Sequence, residues 1–177
     1  NIDFNGASRT IAVNNGSAAT DATISGVLSS TGGGGFIKVG AGTLSLSTAT
    51  NTFTGTIQVL AGTLSVDNDA RLGNAANAIV IGNSATFSES TAIATLARGI
   101  QLGVAGGGTG TIDIVAAGTS NVTGNVTTNG NGFGSLIKSN TTGTLTLTPA
   151  SGSNAWQGAT QILGGTVTMG NANALPG

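Results

Sequence analysis

The chain has 177 residues, a net charge of −1, 31 glycines and neither cysteine nor histidine. Charged residues make up 6% of it, against a usual ~25%, and the five basic residues (Arg9, Lys38, Arg71, Arg98 and Lys138) lie scattered, so there is no basic patch to draw in nucleic acid. Without Cys or His there is no disulfide, no thiolate chemistry and no nucleophilic triad of the usual kinds, and no apolar run reaches the ~18 residues of a membrane-spanning helix.

Taken in order, Asn1–Ala12 reads as a strand and a corner, with Ile2, Phe4, Ile11 and Val13 as inward candidates. Asn14–Ser17 is a turn, because Asn and Gly tolerate positive φ. Thr23–Leu28 reads as a strand. Gly32–Gly35 is either a phosphate cradle or a tight corner. A phosphate loop needs a Lys and a helix start after it, and Phe36-Ile-Lys-Val is a strand pattern instead. The corner reading is preferred here and, by the same logic, at Gly106–Gly108.

Residues 36–66 organise the rest. They hold Gly42-Thr43-Leu44-Ser45-Leu46 and Gly62-Thr63-Leu64-Ser65-Val66, 20 residues apart. Leu44 and Leu46, then Leu64 and Val66, alternate with polar residues, and Ile57 and Val59 keep that phase. A period of two marks a strand with one buried face. A strand motif that returns after about one coil of chain predicts a solenoid.

Asp67-Asn68-Asp69 is an acidic cluster, read as a turn rather than half a calcium site, because its counterpart Gly170–Asn173 has no carboxylate. Ala75–Ile81 and Ala85–Phe87 are further strands. Thr91–Arg98 is compatible with a helix or a strand. Thr109–Val115 alternates again, and Ser120–Asn131 reads as a weak strand with loops.

Residues 136–169 repeat the central stretch. Ile37-Lys38 returns as Ile137-Lys138, and Gly42-Thr43-Leu44 as Gly143-Thr144-Leu145. Asn51-Thr-Phe53-Thr-Gly55 returns as Asn154-Ala-Trp156-Gln-Gly158, and Gly62-Thr63-Leu64 as Gly165-Thr166-Val167. Leu44, Leu46, Leu64, Val66, Leu145, Leu147 and Val167 are the expected inward ladder, with Thr43 outward. The chain divides on this reading into two modules of one continuous solenoid, 1–83 and 84–177. The aromatic corners at Phe53 and Trp156 are read as packing bends in preference to sugar-stacking sites.

These residues resemble the autotransporter-associated β-strand repeat of secreted Gram-negative passenger regions. Its Lys-x-Gly-x-Gly-Thr-Leu opening matches Lys38–Leu44, its Asn-Thr-aromatic-x-Gly corner matches Asn51–Gly55, and its later Gly-Thr-Leu and Leu-Gly match Gly62–Leu64 and Leu72-Gly73. The second copy departs from it: Lys138–Gly143 lacks the first Gly, and Trp156 stands for the usual Tyr or Phe. The resemblance implies an all-β, right-handed parallel β-helix, with coils of about 20 residues in a rod on the order of 40 Å long. It also implies a location outside the cell or on the bacterial surface, tethered at the outer membrane.

Three functions follow as expectations. The first is a structural stalk that presents adhesive or effector regions. The second is an adhesive or self-associating surface of Thr, Ser and Asn ladders, of which ice binding by Thr144, Thr146 and Thr148 is a narrow form. The third, a polysaccharide-acting enzyme, needs two carboxylates roughly 5–9.5 Å apart, whereas Asp3, Asp21, Asp67, Asp69, Glu89 and Asp113 are spread along the chain. The stalk is preferred, with no enzyme activity, cofactor or metal. Its expected partners are neighbouring coils of a longer chain, end-to-end or lateral copies of itself, and a host-surface or glycan ligand of unstated kind. Ile2-Asp-Phe4 resembles the interior Ala85-Thr-Phe87, and Ala174–Gly177 resembles Ala70–Gly73, so the ends read as uncapped pieces of that array.

Overall fold

A computed structural model describes residues 1–104, 108–114, 117–128, 134–140, 142–150 and 152–176. Its strands in chain order are β1 (Ile2–Asp3), β2 (Arg9–Ala12), β3 (Ala22–Ile24), β4 (Leu28–Ser29), β5 (Phe36–Val39) and β6 (Thr43–Leu46). Next come β7 (Ile57–Val59), β8 (Thr63–Val66), β9 (Ile79–Ile81), β10 (Ala85–Glu89), β11 (Ile100–Leu102) and β12 (Gly108–Ile114). The last are β13 (Thr119–Val122), β14 (Val126–Thr128), β15 (Gly134–Ser139), β16 (Thr144–Leu147), β17 (Thr160–Ile162) and β18 (Thr166–Met169). One 3₁₀ turn, Asp69–Leu72, follows β8. No helix among the described residues is long and apolar enough to cross a membrane.

All strand pairs are parallel and join elements one coil apart, so the chain is a β-solenoid of about six turns. Each coil has three sides. One carries the six-stranded sheet β2-β5-β7-β9-β11-β14, and the next carries the seven-stranded sheet β3-β6-β8-β10-β12-β15-β17. The third holds β1-β4 at one end and β13-β16-β18 at the other. Between these ends, that side is stitched by single bonds: Thr52 N–H to the Leu28 carbonyl, Asn74 N–H to that of Phe53, and a bridge from Leu96 to Val122.

Coil length is not uniform. Thr43 pairs with Thr63, 20 residues on, but Ile11 pairs with Lys38, 27 on. The surplus lies in exposed corners such as 14–20, where extra residues disturb no ladder. Fewer, longer coils also shorten the rod. Seven strands at about 4.8 Å give about 29 Å rather than 40 Å.

Alternation decides what is buried. β6 and β8 show the same pattern of half-buried Thr or Ser and buried Leu or Val. Leu44, Leu46, Leu64, Val66, Leu145 and Leu147 are all buried, and Val167 is half-buried against them. Each fully buried aliphatic side chain contributes about 1.5–3 kcal/mol. Phe4, Phe36 and Phe53 close the interior near the start, with ring centroids 5.6–6.4 Å apart and tilted or edge-on rings.

Several local expectations need correction. Ile2 is 49% exposed, because β1 pairs with β4 alone at the edge of the first coil. The single strand expected at Thr23–Leu28 is two, β3 and β4, separated by a corner at Ser25–Val27 where the chain changes sides. Of Ala75–Ile81 only Ile79–Ile81 is strand, since the Asn77 side chain holds a turn there. β10 runs on past Phe87 to Glu89. Thr91–Arg98 forms neither helix nor strand, but an irregular excursion pinned by the bridge at Leu96. Ser120–Asn131 contains β13 and β14, with Asn129–Asn131 outside the described residues, as are Val115 and the Gly106-Gly107 part of the second glycine corner. The Gly32–Gly35 corner does turn the chain, with φ of 85°, 100° and 105° at Gly32, Gly33 and Gly34.

Candidate functional site

The motif residues build brackets between coils. Asn51 is 5% exposed. Its Oδ1 accepts from Leu28 N–H on the preceding coil (2.7 Å), and its Nδ2 donates to the Arg71 carbonyl on the following one (2.7 Å). Asn154 repeats this, accepting from Val126 N–H (2.7 Å) and donating to the Ala174 carbonyl (2.8 Å). One amide thus ties three successive coils together by satisfying backbone groups on the coils before and after its own, at bends where no ladder can do so. Asn77 makes a related bracket, accepting from Gly55 N–H (2.8 Å) and donating to the Phe53 (3.0 Å) and Leu72 (2.9 Å) carbonyls. Sequence reading missed Asn77, which stands one coil above Gly55, two residues before Ile79 as Gly55 is two before Ile57, and so has no counterpart in the Asn51 slot to point to it.

The lysines in the motif are internal, not scattered surface charges. Lys38 occupies an inward position between Ile11 and Val59 and is fully buried. Its Nζ donates to the carbonyls of Gly40 (2.7 Å), Ala61 (3.0 Å) and Val39 (3.3 Å), so it caps the corner after its own strand and the next corner up. Lys138, also fully buried, donates to Ser139 and Asn140. Desolvation pulls both ammonium groups below the ordinary lysine value, with Asp21 opposing this at Lys38 and Asp113 at Lys138. The second copy's missing glycine is explained in the same place. Gly40 turns with φ 80°, and Asn140 takes the matching position with φ 67°, which Asn tolerates better than other side chains.

Apart from Asp113, whose Oδ1 is buried without a hydrogen-bond partner among the described residues, the acids are held by partners. Asp67 pairs with Arg71 (2.6 Å), and Asp69 pairs with the buried Arg98 (2.6 Å). Arg98 also donates to the carbonyls of Asp69, Gly73, Asn74 and Asn77. Asn68 caps the 3₁₀ turn by accepting from Ala70 N–H (2.9 Å), so the acidic cluster is a turn. Asp21 accepts from Gly16 (2.6 Å) and Thr43 (2.7 Å) amides, and these bonds hold its carboxyl below the usual range. Glu89 lies in the core ladder between Val66 and Ile114. Burial pushes its carboxyl up to about 7 against two donors, Ile93 N–H and Ser120 Oγ–H, that favour the charge. Among the described residues no group of three acidic side chains could hold a metal ion.

The other motif residues pack. Gly42 and Gly143 are buried, and a side chain on either would strike the coil below at Asn14 or Ile114. Gly55 and Gly158 press on Gly35 and Gly134 in the same manner, and Gly62 and Gly165 turn with φ 64° and 69°. Phe53 is buried, and Trp156 is 4% exposed with its indole N–H on Thr160 (3.0 Å), so neither ring offers a face for a sugar. Thr43 and Thr63 are half-buried and stack outward in register. On the third side Thr119, Thr144 and Thr166 form one outward row, with Asn121, Thr146 and Thr168 beside it and Thr148 at the end of β16. The last coil exposes Ile162 (52%), Leu163 (68%) and Met169 (40%). Shallow clefts of about 410 Å³ and 380 Å³ lie beside Trp156 and between Asp67–Asp69 and Thr91–Thr95.

The family model of the passenger-associated-transport-repeat matches residues 36–66 and 136–169. The adhesin BmaC autotransporter of Brucella suis biovar 1 (strain 1330) is 42% identical over 109 residues, which is 59% of this chain and 3% of that protein. The chain therefore corresponds to a small fraction of the length of this curated relative. No solved structure matches it.

Proposed function

This chain carries autotransporter passenger repeats, and from that premise we propose that it is a stretch of stalk in a secreted or surface-displayed passenger. The observation that supports this is where the polar chemistry goes. Asn51, Asn77, Asn154, Lys38, Lys138 and Arg98 are all spent inside, tying one coil to the next. A molecule that invests its charged and amide groups in axial cross-links is built to hold a length. It is no enzyme on this reading, because Asp67 and Asp69 are ion-paired, Asp3 and Asp21 accept from backbone amides, Glu89 is sunk in the core, and Asp113 is left without a second free carboxylate to work with.

The partners on this reading are further coils of the same kind. β17 and β18 leave one edge of their sheets unpaired, and Ile162, Leu163 and Met169 stand exposed on the last coil. Stacking a coil there would pair the edge and cover the apolar side chains. Light scattering over a concentration series should show end-to-end association, reduced by Leu163→Lys, with no binding to glycan arrays or cells. A second reading, an adhesive face, rests on the Thr and Asn rows of β13, β16 and β18. Saturable binding to glycans or cells that is lost in Thr146→Lys and kept in Leu163→Lys would replace the stalk reading with that one.

A further inference from the structure

Glu89 is the one acidic side chain in the aliphatic ladder of the described residues. Its strand alternates Ala85, Phe87 and Glu89 inward, so the carboxylate takes the place that Val66 holds on the coil before and Ile114 on the coil after. It is fully buried. Its Oε2 accepts from Ile93 N–H (2.9 Å) and its Oε1 from Ser120 Oγ–H (2.9 Å). Those two bonds tie the chain's irregular excursion, which leaves the ladder after Ser90 and returns at Leu96, to β10 and to β13. Ile93 is buried beneath the excursion, while Thr91, Ala94 and Thr95 form the far wall of the cleft whose near wall is Asp67–Asp69.

The charged groups around Glu89 do not neutralise it. From β8 and the turn after it come Asp67 and Asp69, each already paired, with Arg71 and Arg98. From β12 comes Asp113, on the outward phase of its strand. β13 offers only the Ser120 hydroxyl, and the excursion's own cation, Arg98, is spent on Asp69 and backbone carbonyls. An ionised Glu89 therefore has two neutral donors and no counter-ion, and desolvation of the charge outweighs those two bonds. A protonated Glu89 keeps Oε2 on Ile93 N–H and turns its own O–H to Ser120 Oγ.

We propose that Glu89 is a proton-operated latch for the 90–96 excursion: protonated, it stays in the core and holds the cleft wall closed; ionised, it moves to water and releases Ile93 and Ser120. This goes beyond the stalk reading and does not depend on it. The folded carboxyl titrates at about 7 against an ordinary 4.5. A raised value means that closure is fully favoured below 4.5 and is lost as the pH rises through about 7. The coils on either side keep their own ladders, so the release is local.

The test is amide hydrogen exchange on the whole chain at pH 5 and pH 8, corrected for intrinsic exchange. Protection at Ile93 should fall at least tenfold between the two, with Leu44 and Leu64 unchanged, and Glu89→Gln should remove the pH dependence. Equal wild-type protection at both pH values, or a fall that persists in Glu89→Gln, overturns the latch. Should Glu89→Gln not fold, carbon-13 detection of the wild-type Glu89 carboxyl serves instead. A midpoint near 7 that tracks the Ile93 change supports the proposal, and a midpoint near 4.5 overturns it.

Discussion

The two copies of the repeat do not stand on the same sides of the solenoid. In the first, Phe36–Val39 lies on the six-stranded sheet and Thr43–Leu46 on the seven-stranded one. In the second, Leu136-Ile-Lys138 lies on the seven-stranded sheet and Thr144–Leu147 on the three-stranded one. The ladder from Phe36 climbs through Ile57, Ile79 and Ile100 to Val126, four coils up. Leu136, on the next strand along, is where the motif restarts. The repeat distance is thus four coils and one side. The motif travels as a local kit: an inward Lys for the corner carbonyls, a left-handed residue two positions later, and an Asn that brackets three coils. None of these parts needs a particular side of the prism. They need only a neighbour above and below, and the first copy has more of that, because the second supports the exposed final coil.

The largest test of that difference is a buried carboxylate in each copy. Leu44→Asp, between Ala22 and Leu64, should cost about 4 kcal/mol or more, as an unpaired charge does in a packed interior. Leu145→Asp should cost less, since its neighbour Val167 is only half-buried. Thr43→Asp, on the outer phase, should be mild. Urea unfolding would measure all three; equal costs at residues 43 and 44 would break the inward assignment.

The Asn brackets come next. Asn51→Leu strands the Leu28 amide and the Arg71 carbonyl, at about 1–3 kcal/mol for each buried group left unsatisfied. Asn154→Leu strands the Val126 amide and the Ala174 carbonyl, and should cost less because the coil above is more open. Thermal melts in which Asn154→Leu lowers the melting temperature more than Asn51→Leu does would show that the second copy is the better buttressed.

The smallest effect sharpens the comparison most. Asn140→Gly should shift stability by less than about 0.5 kcal/mol, relief of positive φ being offset by a more flexible unfolded chain. The reciprocal Gly40→Asn should cost about 1–3 kcal/mol, because a Cβ there would collide with the Val13 carbonyl oxygen. Equal effects from the two exchanges would mean that the corners are interchangeable.

Some of this was legible without coordinates. Period-two alternation at Leu44, Leu46, Leu64 and Val66 marks a half-buried strand wherever the chain goes, because successive side chains must point to opposite faces. Its return after 20 residues in the first copy is enough for a parallel coil. The aromatic corners were readable as packing because Phe53 and Trp156 recur at one phase of the repeat and match the aromatic of the resembled Asn-Thr-aromatic-x-Gly corner.

Other features were decided by tertiary structure alone. A charged residue is ordinarily read as facing out, so Lys38, Lys138, Arg98 and Glu89 were invisible as core residues. They are inside because carbonyls at coil corners and amides of an irregular excursion converge on them, and that convergence exists only after stacking. Which side a motif occupies was hidden as well. It depends on the summed lengths of every coil before it, from 20 residues at Thr43 to 27 at Ile11, and corner insertions change that sum without disturbing any local pattern. Alternation is a property of neighbouring residues and survives in one dimension. Register around a solenoid accumulates over the whole chain, so only the closed stack of coils, with its hydrogen bonds satisfied, determines it.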